Sequence, residues 1–243
     1  MRATDESSRA LVHSIEQAEL MREHGETESA LAALCAIRSK AANDGNLEAV
    51  GLASTHIVVC YKHLYQNTGA EINLLKMETE SEQALALPLP DRLKAVLWMR
   101  RSDVACERGD FDQAETFGQR AYDLAEKHSY VEADCLGRLA FAKTMSGKLT
   151  EAESLFARAN DILAGMPGPT TFRRVTLESG LLARRTMLAL GQKRYKNAVK
   201  DFICGYLLAW EYRIRYGMPQ RVRQYHRGLW RAMSSILGVG GRA

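Results

Sequence analysis

Apolar residues recur along this chain three and four positions apart, the spacing that lines one face of an α-helix. Ala10, Leu11, Ile15, Ala18 and Met21 share such a face and predict a helix over about 6–23, stopped at Gly25. Ala30, Leu34 and Ile37 mark a second over 26–42, closed by the turn Asn43-Asp44-Gly45-Asn46. A third, over 47–66, is unusually apolar and ends at Asn67-Thr68-Gly69. Its partner covers 70–87, before Pro88 and Pro90 break the pattern. The sharpest interruption is Gly165-Met166-Pro167-Gly168-Pro169. Beyond it the pattern predicts helices over 171–190, 195–215 and 220–237, the last two separated by Gly217-Met218-Pro219. The chain reads as all-α.

Between the proline break and that interruption lie two copies of one helical hairpin. The first carries Trp98, Ser102 and Ala105, a turn at Gly109-Asp110-Phe111, then Ala114, Gly118 and Ala121. The second carries Leu136, Leu139 and Ala140, a turn at Gly147, then Ala152, Phe156 and Ala159. Small residues fall where two helices must approach closely, and a glycine closes the first helix of each pair. The helix-ending glycines Gly25, Gly69, Gly109, Gly147 and Gly191 are spaced 44, 40, 38 and 44 residues apart. This pattern resembles the tetratricopeptide repeat (TPR) family. The resemblance implies a TPR-like α-α superhelix, a solenoid of about five helix pairs plus a C-terminal helix. It would be a single domain over 1–243, with repeats over 6–43, 47–87, 91–127, 131–164 and 171–216 and a terminal helix over 220–237. The match is best in the two central repeats and poorest in the second. In the fifth, Gly191 stands two residues out of register with Ala198.

In that family the first helix of each pair lines the concave surface. Carried onto this chain, the groove positions are Glu16 and Glu19, then His56, Cys60 and His63, then Arg100 and Asp103, then Arg138 and Phe141. The fifth repeat, aligned on Ala198, adds Arg184 and Met187. Arg100, Arg138 and Arg184 thus share one repeat position. Stacked repeats would set them in a row, and a guanidinium fork suits carboxylate or phosphate. The alternative is that these arginines pair with Asp103 and Asp134. The family's carboxylate clamp, which grips a chaperone's acidic tail, is a poor fit: no Asn occupies the groove positions, and Glu16 and Glu19 stand where a cation or amide is needed.

His56, Cys60 and His63 share a helical face. Positions seven apart are about 10 Å apart along a helix axis, too far for one tetrahedral metal to take all three. Polar lining or partly buried packing is the alternative, and no metal or other cofactor is expected. No phosphate-cradling Gly-rich loop and no nucleophile elbow occurs, so the chain is read as a non-enzyme.

The net charge of +4 hides a split. Residues 171–243 hold 15 of the 33 Lys and Arg and three of the 29 Asp and Glu, a balance of +12. The remaining 170 residues carry −8. The basic end interleaves Arg213, Arg215, Arg221, Arg223, Arg227 and Arg231 with aromatics including Tyr195, Phe202, Tyr206, Trp210 and Tyr225. Three readings stay open for it: partner binding or solvation of a terminal repeat, head-to-tail self-association, and phosphate contact with base stacking on nucleic acid. Five scattered cysteines, an odd number, suit a reducing compartment, and a cytoplasmic location is expected. No run approaches the roughly 18 apolar residues of a membrane span. The expected function is a protein-interaction scaffold or adaptor that binds an acidic segment of another protein or peptide in its groove. A nucleic-acid-binding module or a small-ligand sensor are the alternatives.

Overall fold

The computed structural model describes residues 2–166 and 172–227. The helices are α1 (Arg2–His24), α2 (Thr27–Asn43), α3 (Leu47–Thr68), α4 (Glu71–Leu85), α5 (Asp91–Arg108), α6 (Phe111–Leu124), α7 (Tyr130–Met145), α8 (Leu149–Gly165), α9 (Phe172–Gly191) and α10 (Tyr195–Tyr216). A last helical stretch is described over 220–227; the rest of the helix expected over 220–237 lies outside the described residues. No strand occurs among the described residues. The sequence pattern predicts one array over 1–243, and packing groups the chain as two compact units, Met1–Pro167 and Gly168–Ala243. The division falls in the Gly- and Pro-rich interruption.

The hairpins are closed by one recurring device. At the end of α1, α2, α5 and α7 a glycine takes a left-handed backbone: Gly25, Gly45, Gly109 and Gly147, with φ of 98°, 69°, 78° and 79°. The next residue's N–H then reaches back to the helix, as Asp110 does to the Ala105 carbonyl (2.9 Å) and Lys148 to that of Lys143 (2.9 Å). This bond satisfies a carbonyl that the helix end leaves open. The α9–α10 turn departs from the expectation. Gly191 belongs to α9, and the left-handed residue is Lys193 (φ 58°), followed by Arg194 N–H to the Ala189 carbonyl (2.8 Å). Helix starts are equally specific. Asn46, Asp110 and Ser129 each cap a helix by accepting the backbone N–H three residues on.

In the first unit each helix packs on the next from α1 to α8, and the odd-numbered helices α1, α3, α5 and α7 also touch in succession. Ile15, Ala30, Leu34 and Ile57 fill the α1–α2–α3 core. Val58, Leu74, Met77 and Leu97 fill the next, between α3, α4 and α5. Small residues set the close approaches. A Cβ at Gly118 would lie 3.4 Å from the Leu139 Cα, so α6 meets the α7 backbone there. The buried Ser102 hydroxyl donates to the Ala114 carbonyl at 2.8 Å and pins α5 to α6.

In the second unit α9 packs against α10, and the last stretch adds Val222 and Tyr225 to a core with Ala209 and Phe202. The Tyr225 hydroxyl donates to the Ser179 carbonyl. It occupies the space a Cβ would fill at Gly205, which explains a glycine in mid-helix.

Candidate functional site

Contact between the odd-numbered helices of the first unit brings charged side chains from α3, α5 and α7 to one place. Asp103 of α5 is the centre. One of its oxygens accepts from Lys62 Nζ of α3 (2.7 Å) and from Arg100 Nη1 (3.2 Å), and the other from Arg138 Nη1 of α7. Arg138 also pairs with Asp134, one turn earlier on its own helix, at 3.2 Å. Side-chain exposure across these five runs from 9 to 18%. Three cations therefore face two carboxylates with little water between them. Arg100 Nε is buried and has no acceptor.

Burial shifts these groups. It drives the Lys62 ammonium down to about 7, with Arg138 and Arg100 adding to the push and Asp103 opposing it. For Asp103, burial alone would raise the carboxyl, but Arg138, Lys62 and Arg100 overcome that and hold it far below the usual carboxylate range. A lowered lysine beside cations is also how nucleophilic amines are activated. Here the 2.7 Å bond to Asp103 acts the other way, because it favours the protonated amine.

The arginine positions read from the sequence are partly brought together. Arg100 and Arg138 converge, and they do so by pairing with Asp103 and Asp134, the alternative left open above. Arg184 lies in the second unit. It stands nine residues before the left-handed Lys193, as Arg100 stands before Gly109 and Arg138 before Gly147. A Cβ at Gly180 would meet Arg184 Nη2 at 4.0 Å and Arg221 Nη1 at 3.7 Å, so these two guanidinium groups flank the same point of α9. Phe141 is half-buried on α7, one turn beyond Arg138.

His56, Cys60 and His63 fill other roles. His56 Nδ1 lies 3.1 Å from Arg22 Nη1 of α1, His63 is buried, and Cys60 is wholly enclosed. Burial pushes the Cys60 thiol up to about 11, which makes it a poor nucleophile or ligand. Among the described residues, no three His, Cys, Asp or Glu are placed to hold a metal. Two basic side chains of the core surroundings, one buried and one half-buried, escape the sequence reading. Arg22, 4% exposed, is held by Glu23 (2.9 Å) and Glu19 (3.6 Å). Lys62 offers a signal in retrospect, as the one Lys or Arg in the 22 residues of α3.

The basic end is less uniform than its composition suggests. Arg213, Arg215 and Arg223 are exposed, Arg221 and Arg227 are half-buried, and Arg231 lies outside the described residues. Arg213 sits over the Trp210 ring at 4.9 Å, and Arg215 pairs with Glu211 at 3.3 Å. Tyr212 is fully buried, and Phe202 packs against Tyr206 (6.2 Å) and Tyr225 (5.6 Å). Those rings are spent on packing. No described helix is long and apolar enough to cross a membrane. Set against models of known protein families and against curated proteins, the chain matches none.

Proposed function

We propose that this chain is a non-enzymatic, TPR-like array of helical hairpins that serves as a scaffold or adaptor in the cytoplasm. Its ligand is an acidic, helical or extended segment of another protein, bound on the surface that α3, α5 and α7 share. The observation that carries this reading is the Lys62–Arg100–Asp103–Asp134–Arg138 cluster. Three helices contribute to it, three basic side chains face two carboxylates, and the Arg100 Nε–H lacks an acceptor. A carboxylate arriving beside the cluster meets guanidinium groups that Asp103 and Asp134 already hold in place, which lowers the cost of ordering them on binding. Phe141 beside Arg138 offers an apolar anchor of the kind that binding surfaces place next to charge. The nucleic-acid reading has less to draw on than composition suggests, because Tyr212 and Tyr225 are buried and Phe202 packs against Tyr206 and Tyr225.

The test is a screen of the purified chain against a peptide library that spans acidic, neutral and basic sequences. Acidic peptides should dominate the binders. Arg100→Gln should weaken the best of them by more than about tenfold, as loss of a charge-assisted hydrogen bond implies. Arg120→Gln, on the exposed face of α6, should leave them unchanged. Binders without acidic bias, or affinity indifferent to Arg100→Gln, would remove the reading.

A further inference from the structure

Helix α10 is apolar on two opposite faces. Ala198, Gly205, Ala209 and Tyr212 form the face buried within the second unit. Tyr195, Val199, Ile203, Leu207 and Ile214 lie on the other side, 49–79% exposed. At 3.6 residues per turn these five fall within about a third of the helix circumference. Val199, Ile203, Leu207, the half-buried Trp210 and Ile214 are separated by 4, 4, 3 and 4 residues. That is the seam spacing of helices that pair side by side. Ordinary surfaces scatter single apolar residues; a continuous row of this length marks an interface.

The charges beside the row select its occupant. Lys200 and Glu211 are exposed on the same flank of the seam, 11 residues apart and so about 16 Å along the axis, too far to meet within one helix. Arg213 and Tyr195 are exposed on the opposite flank. An antiparallel second α10, related by a twofold axis near residue 205, sets Ile203 against Leu207 of the second copy. The same register sets Lys200 beside Glu211 on one flank and Arg213 beside Tyr195 on the other. In an antiparallel pair like flanks meet, so both juxtapositions follow from one axis. In a parallel twofold pair unlike flanks meet, so Lys200 of one copy and Glu211 of the other would lie on opposite sides of the seam. We infer that the outer face of α10 is a self-complementary interface through which two copies of the chain form an antiparallel, twofold-symmetric dimer. Glu211 also pairs with Arg215 on its own helix (3.3 Å), an exposed pair that leaves it open to a second cation.

The experiment is light scattering on the full chain across a dilution series, at low and high salt. It should report twice the chain mass, dissociating on dilution. Ile203→Glu and Leu207→Glu should raise the dissociation constant by well over about tenfold, since each places a charge in an apolar seam. Their circular dichroism should stay unchanged, because both residues are exposed. Lys200→Glu should weaken the dimer, and Lys200→Glu combined with Glu211→Lys should restore it. A short bismaleimide should link two copies through Cys204, the exposed one of the five thiols and close to the axis, and Cys204→Ser should abolish that product. Four outcomes would overturn the inference: a monomer throughout, a salt-sensitive ladder of larger species from head-to-tail contact, a monomer that floats with anionic vesicles, or a dimer indifferent to Ile203→Glu.

Discussion

Asp103 shows how much can rest on one carboxylate. It holds Lys62, Arg100 and Arg138 at once, with 15% of its side chain exposed. Asp103→Asn keeps the shape and removes the charge, leaving the Arg100 and Arg138 guanidinium groups to repel each other away from water and Lys62 without its carboxylate. Breaking a buried pair in this way costs about 3–5 kcal/mol, and urea denaturation of the variant measures it. The pH dependence has two arms. The Asp103 carboxyl is lowered in the fold, so its contribution is complete above the unfolded carboxylate range and fades as pH falls below about 4. Lys62 works in the opposite region. Its pKa falls from 10.5 to about 7 on folding, so between those values the unfolded chain holds a proton that the folded chain has released. Folding is therefore favoured more as pH rises from 7 to 10.5. Stability of the native chain, followed by chemical denaturation at several pH values, should climb across that window. In Lys62→Met the climb should flatten; an unchanged slope would mean that the ammonium is not the group responsible.

Helices and their turns were legible in the sequence to different depths, for physical reasons. Gly25, Gly69, Gly109 and Gly147 announce their turns because glycine enters the left-handed region without a steric cost, and each does so here. Lys193 occupies the same region with φ of 58° and leaves no such mark, so the eye settles on Gly191 two residues away. The placement of Arg100 and Arg138 on one repeat position followed from the TPR resemblance, counted back from the turn glycines Gly109 and Gly147. The arrival of Lys62 was not, because it depends on how α3 lies against α5, and periodicity within a helix says nothing of that. The turn itself yields a prediction. A non-glycine residue in the left-handed region costs about 1 kcal/mol, and Lys193 is exposed, with its side chain turned away from the core. Lys193→Gly should relieve most of that cost, offset by the greater freedom glycine gives the unfolded chain. The expected result is a gain of a few tenths to about 1 kcal/mol in thermal or urea unfolding. The same change at Ala198, buried in the first turns of α10, should destabilise.

At the scale of the molecule, the interruption at Gly165-Met166-Pro167-Gly168-Pro169 separates two sets of interactions with different character. The cores around Ile57, around Leu97, around Met99 and around Phe117 draw all their residues from the first unit, and the core around Tyr225 draws all of its residues from the second. Charge divides at nearly the same point, with −8 before residue 171 and +12 from it onward. Each unit thus has cores drawn from its own helices, and the two stretches of sequence differ in net charge. Hairpins that each bury a face on the next make their contacts over short sequence distances. The fragment 1–167, expressed alone, should keep the helical circular dichroism of its eight helices and unfold in one cooperative step. Asp103→Asn in that fragment should lower the midpoint by an amount close to its effect in the full chain, since every partner of Asp103 lies in the first unit. A fragment that melts gradually, or that loses the sensitivity to Asp103→Asn, would mean that residues after 167 are required to complete the interior of the first unit.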